Sequence, residues 1–168
     1  MKIGMQTWGT HGDIRPMLAL AEGLQSSGHQ VTLAITSISG GDYNASVSKS
    51  GVKIQSVASP VIRDMDEALR ALKVWLNESN TTKQTRAALQ FFLVPAEGEM
   101  YQAAERLCEE NDIVIGHYFH YPLQAAAEKA GRRHVSVMLF QGLIPSATQP
   151  PPGVPDRAVV FRGRGLVP

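Results

Sequence analysis

The stretch WGTHGDIRP, residues 8–16, sets a histidine, an aspartate and two glycines where a short apolar run gives way to helical spacing. A carboxylate at such a junction has two uses. Asp13 is a favoured capping type, with Ile14 as first helical residue and Pro16 tolerable in the first turn. It is also a group that can receive a proton from an attacking hydroxyl. Both uses draw on the same two oxygens, although one can cap while the other faces a substrate. His11 is a candidate acid or base and equally a solvated loop residue. A second polar cluster, GHYFH at 116–120, follows another apolar run. His117 lies nearer the strand end, where a neighbouring carboxylate would keep it protonated or fix its tautomer. Taken singly, His117 and His120 each read first as structural, as do His29 and His134.

Gly9 and Gly12 let the backbone approach a ligand, and a helix start offers unpaired N–H groups to an anion. The pattern is neither a dinucleotide fingerprint nor a P-loop: G-x-G-x-x-G is absent, and no Gly-Lys-Ser/Thr follows. The single cysteine, Cys108, excludes an intrachain disulfide and any multi-cysteine metal site. It reads as a small buried hydrophobe on a helix.

The elements that must position these residues alternate. KIGMQTW at 2–8 is a buried strand, and Ile14, Met17, Leu18, Ala21 and Leu24 then recur at helical spacing up to Gly28. QVTLAIT at 30–36 is a second strand, which closes a βαβ unit with parallel neighbours and a right-handed crossover. Residues 43–50 suit a short helix, and 51–57 a third strand. From Met65, the series Leu69, Leu72, Leu76 marks an amphipathic helix. A further helical stretch runs from Thr82 to Glu110, kinked or split at Pro95. DIVIG at 112–116 is a strand, Tyr118–Ala130 an alanine-rich helix closed by Gly131, and 134–139 the next strand. This alternation predicts an α/β, Rossmann-like doubly wound parallel sheet, in which ligands gather beyond the carboxyl ends of the strands. The expected lobe spans 1–145. Residues 146–168, within and after QGLIPSATQPPPGVP, read as a proline-rich tail or linker.

At 168 residues, with 43% hydrophobic and 18% charged side chains, the chain suits one globular domain with a proper core. A formal net charge of +1 without a dense cationic cluster argues against nucleic acid as a partner. No apolar run reaches the ~20 residues of a membrane span, so at most peripheral membrane contact and a cytoplasmic location are expected.

The stretch MKIGMQTWGTHGDIRPMLALAEGLQSSGHQVTLA resembles the amino-terminal lobe of GT-B glycosyltransferases. It is most similar to the family 28 branch with sterol, lipid and antibiotic transferases, in which a GT-x-GD-x-x-P loop follows the first strand. The likeness continues through SGVKIQSV and DIVIGHYFHYPLQAAAEKAGRRHVSVML, and spares roughly residues 60–110, the variable acceptor side of such enzymes. The resemblance implies a two-lobed, metal-independent, inverting hexosyltransferase without a cofactor. Its amino-terminal lobe binds the acceptor, and its carboxyl-terminal lobe binds a UDP- or TDP-sugar. Asp13 maps onto the proposed base, and Gly9, Thr10, His11 and Gly12 onto the loop near the donor phosphates. Many relatives carry arginine where this chain has His11.

A related branch pairs a histidine in the Asp13 slot with an aspartate in the slot of His117, so the couple here is exchanged. The resemblance therefore implies an Asp13–His117 pair, with Asp13 receiving the proton and His117 orienting it or relaying the proton. The opposite assignment stays open. Free aspartate, with a pKa of about 3.9, is a weak base at neutral pH, but it need only receive the proton as attack proceeds. The apolar stripes of 60–110 either wall a groove for a partly apolar acceptor or belong to ordinary core. The sequence holds no second Rossmann lobe, so an acceptor-side half that is inactive alone is expected. The alternatives are a non-catalytic acceptor-binding module and a flavodoxin-like nucleotide binder.

Overall fold

The computed structural model describes residues 1–139 except 39, 40, 42, 48 and 60–64. The 146–168 tail and the boundary at 145 lie outside the described residues. Five parallel strands, β1 (Lys2–Gly9), β2 (Gln30–Ser37), β3 (Lys53–Ser56), β4 (Ile113–His117) and β5 (Arg133–Val137), form one sheet in the order β3-β2-β1-β4-β5. All four pairings are parallel, with Met5 beside Leu33 on one flank and Ile115 on the other.

Strand side chains alternate between faces, so each face of the sheet carries its own core. On one face, Ile3, Met5, Val31, Leu33, Ile35 and Ile115 pack with Ile14, Met17, Leu18 and Ala21 of α1 (His11–Ser26). Opposite, Ala34 and Val114 pack with Ala104, Leu107 and Cys108 of α5 (Glu97–Glu110) and with Leu123, Ala126 and Ala127 of α6 (Tyr121–Lys129). Helices cover both faces, as expected of a doubly wound sheet.

α1 ends where Gly28 takes a φ of 87°, which allows the His29 amide to reach the Leu24 carbonyl. Among the described residues between β2 and β3 there is a single helical turn, α2 (Asn44–Val47), within the stretch 43–50 expected to be helical. Between β3 and β4 the chain forms α3 (Met65–Asn77) and α4 (Thr81–Ala88), then widens into a π-turn at Leu89–Leu93 and tightens into a 3-10 turn at Val94–Ala96. Pro95 sits in that tightened turn, so the long helical stretch is split where its missing N–H demands. One expectation is corrected. The last helix begins at Tyr121 and not at Tyr118, because His120 caps it and Pro122 occupies its first turn. Tyr118 and Phe119 thus form a turn above the sheet.

Candidate functional site

β1 lies at the centre of the strand order: the chain winds outward from it through β2 to β3, then crosses back to β4 on its other flank. The crevice at such a reversal, beyond the carboxyl ends of β1 and β4, is where open α/β sheets hold ligands. Asp13 and His117 both reach it. The structure corrects the expected cap: α1 starts at His11, Thr10 is its N-cap, and Asp13 is the third helical residue. The Thr10 backbone N–H donates to Asp13 Oδ2 at 2.9 Å, and its hydroxyl donates to the same oxygen at 3.1 Å. A threonine cap with an acid three positions on lets the side chain reach back to the otherwise unpaired cap amide, and this outcompetes a cap at position 13.

Oδ1 is left for other work. It stands 3.8 Å from Nε2 of His117, with the Asp13 side chain 39% exposed and that of His117 only 4%. Both ring nitrogens of His117 are buried without a protein partner. Burial pushes the His117 pKa down, against the opposing pull of the Asp13 charge, so the ring is neutral at neutral pH. The two histidine-loop residues differ sharply. His120 is 1% exposed, and its Nδ1 accepts the Leu123 amide of α6, which is the structural role expected of it.

Gly9 is required by geometry. Its φ is 125°, and a Cβ there would collide with the Asp13 Oδ2 atom. Thr10, His11 and Gly12 are exposed at the mouth. His11 Nδ1 meets the buried Tyr43 hydroxyl at 3.0 Å, and the two rings stack edge to face. The sequence did not single out Tyr43, because only the fold brings this residue, just before α2, beside the loop.

A cavity of about 290 Å³ opens beside Asp13 and His117. Its walls are mostly apolar: Trp8 and Phe119 near the strand ends, Leu72 and Trp75 from α3, Ala88 from α4 and Phe92 from the π-turn. Trp75 and Phe92 meet edge to face at 6.2 Å. Of the expected stripe Leu69, Leu72 and Leu76, Leu72 alone lines this groove, beside Trp75, while Leu69 and Leu76 are exposed; residues of 60–110 nonetheless supply much of the wall. Trp8 escaped sequence reasoning although it lies in the motif itself. A wider cleft of about 520 Å³ lies at the other end of the sheet, among Met1, Lys2, Gln30, Glu110, Asn111 and Asp112. That end holds the amino ends of the strands and the carboxyl ends of α1 and α5.

Among the described residues, no group of three or more His, Cys, Asp or Glu side chains is placed to hold a metal ion. Nor is any helix among them long and apolar enough to cross a membrane.

The family model of the glycosyltransferase family 28 N-terminal domain matches residues 3–135. The chain belongs to this family. Solved structures agree on the fold of this family 28 domain. It superposes on the glycotransferase of kitacinnamycin with a TM-score of 0.54 at 20% identity, over 83% of this chain and 30% of that one. For CalG4, the calicheamicin glycosyltransferase, the TM-score is 0.56 at 19% identity, over 82% of this chain and 32% of that one. The Streptomyces sp. SF2575 glycosyltransferase SsfS6 gives 0.56 at 16%, over 82% and 39%. The family 28 domain thus spans about a third of the length of these solved chains. A comparison with curated proteins finds no match.

The buried histidines give the domain an acid limb. Burial depresses the His120 pKa to about 3, below its unfolded value of about 6.5. As pH falls below 6.5 the unfolded chain takes up a proton that the folded one refuses, so stability is lost towards pH 3. Unfolding in urea should therefore show a loss of about 2 kcal/mol from His120 between pH 7 and pH 5. In His120→Asn, which keeps a capping side chain, that part of the slope should vanish.

Proposed function

We propose that this domain is the acceptor-binding half of an inverting hexosyltransferase that moves a sugar from a nucleotide sugar to a hydroxyl of a partly apolar molecule. The observation that carries this reading is the part-exposed Asp13 carboxylate, which lines an apolar cavity with Oδ2 tied to Thr10 and Oδ1 left without such a tie. An acceptor seated among Trp75, Phe92 and Phe119 would present its hydroxyl to that oxygen. As the hydroxyl oxygen attacks the anomeric carbon, its proton passes to Asp13 Oδ1. The bond from that carbon to the phosphate oxygen breaks on the opposite face, and the nucleoside diphosphate leaves with the electron pair. The inaccessible ring nitrogens of His117 favour Asp13 as the base, with His117 acting through it.

Gly9, Thr10, His11 and Gly12 border the donor side of the crevice. Tyr43 holds Nδ1 of His11, so a phosphate contact from this ring falls to Nε2. One of the solved relatives is complexed with UDP and another with thymidine diphosphate. A UDP- or TDP-sugar held chiefly by a carboxyl-terminal lobe fits this picture. Thermal unfolding of the chain separates the readings. Saturating UDP- or TDP-sugar should leave the midpoint nearly unchanged, whereas hydroxylated aromatic or sterol-like compounds should raise it by mass action. A large rise with nucleotide alone would instead favour a nucleotide binder. Binding of acceptors without transfer, when a donor lobe is supplied, would favour a non-catalytic module.

A further inference from the structure

Strand register places an unassigned hydroxyl beside the imidazole of His117. β1 and β4 pair through Met5 with Ile115 and, as the last paired step, Gln6 with Gly116; continuing that register by one residue brings Thr7 alongside His117. Met5 and Ile115 point into the core under α1, so the period of two sends Thr7 and His117 to that same face. Gln6 points the other way, donating to the Met100 carbonyl of α5. Thr7 is 0% exposed and His117 5%. Positions 3 and 5 of β1, and 113 and 115 of β4, carry apolar side chains on this face. Thr7 breaks the apolar row at the one step where its neighbour is a histidine.

Each member of this pair lacks what the other offers. The Thr7 hydroxyl and both nitrogens of His117 are buried, and none has a protein hydrogen-bond partner. Groups left in that condition cost stability unless a partner or a single water joins them. Paired parallel strands run about 4.8 Å apart, so a small ring rotation or one bridging water closes the gap. A neutral imidazole has one N–H and one lone pair, and the tautomer decides which faces Asp13.

We propose that Thr7 is a positioning residue for His117: its hydroxyl donates to Nδ1, directly or through one water, and so keeps the ring proton on Nε2, facing Asp13 Oδ1. This rests on the reading of Asp13 as the base. Oδ1 has two lone pairs, one for the Nε2 proton and one for the incoming acceptor hydroxyl. The imidazole then holds the carboxylate in place without touching the substrate.

The test reads the ring nitrogens of His117 by 15N NMR in the chain as it stands, without donor or acceptor. The Nε2–H form should dominate. Thr7→Val, which keeps the shape, should lower the ratio of Nε2–H to Nδ1–H forms by about tenfold, roughly the effect of losing one hydrogen bond. Thr7→Ser should restore it, a rescue that a packing role would not produce. A wild-type ring protonated on Nδ1 overturns the proposal, and so does a folded Thr7→Val protein with an unchanged ratio. If Thr7→Val fails to fold, the wild-type tautomer and the Thr7→Ser ratio still decide, a shift in the latter counting against the hydroxyl. A transferase assay that finds no sugar transfer would remove the catalytic reading while leaving the tautomer measurement intact.

Discussion

Asp13→Asn should lower kcat by about a thousandfold in a transferase assay that includes the donor-binding half, with little change in the KM for acceptor. General-base catalysis contributes about 10²–10⁴ in rate, and an amide has no basicity to offer. The choice of asparagine matters because Asp13 has two jobs on two oxygens. The amide keeps one carbonyl oxygen, which can accept from the Thr10 amide as Oδ2 does now. The helix start should therefore survive, and a thermal midpoint within a few degrees of wild type would establish that. Asp13→Ala, by contrast, removes cap and base together, so its loss of turnover would say little about either. Full activity in a folded Asp13→Asn protein would exclude Asp13 from proton transfer. The companion change His117→Gln should act mainly on kcat and by less, since the ring supports the carboxylate from behind.

Gly9→Ala should destabilise the chain by about 4 kcal/mol, measured by urea unfolding. Two independent costs add. A φ of 125° is one that residues with a side chain rarely adopt, and holding alanine there costs about 1–3 kcal/mol. The new methyl would also collide with the Asp13 carboxylate, and overpacking costs about 1–3 kcal/mol more. The carboxylate can escape only by leaving Thr10, which forfeits the cap. The glycine and the Asp13 carboxylate are thus a single geometric unit. A loss below 1 kcal/mol would show that the loop relaxes freely and that the Asp13 position is not tightly held.

The doubly wound sheet was legible because β-branched runs, helical spacings and closing glycines agreed along the chain. The candidate site was legible in part. Asp13 was singled out from its junction and His117 from its place after a strand, and the fold brings the two side chains within 3.8 Å, but the helix start was read three residues late. Asp13 and Thr10 are both good caps, and only the reach of the acid back to the Thr10 amide decides between them. The aromatic wall was harder. Leu72 and Trp75 share a helical face that would look the same whether it met core or cavity, since periodicity marks what is turned inward and not what it meets. Thr7 gave no signal, because threonine is an ordinary strand residue until the register sets it beside a histidine.

β1 is hydrogen-bonded on both flanks, to β2 from the nearby chain and to β4 from far along it. Asp13 is fixed as soon as the first βαβ unit folds, but His117 arrives only when β4 docks against β1. The chemical pair should thus be among the last features to form during folding, and any event that pries β4 from β1 should dismantle it while the amino-terminal unit stays intact. Amide hydrogen exchange should accordingly find β4 opening together with the histidine turn as one cooperative block. The weak seam of the domain and its proposed reaction centre would then be the same place.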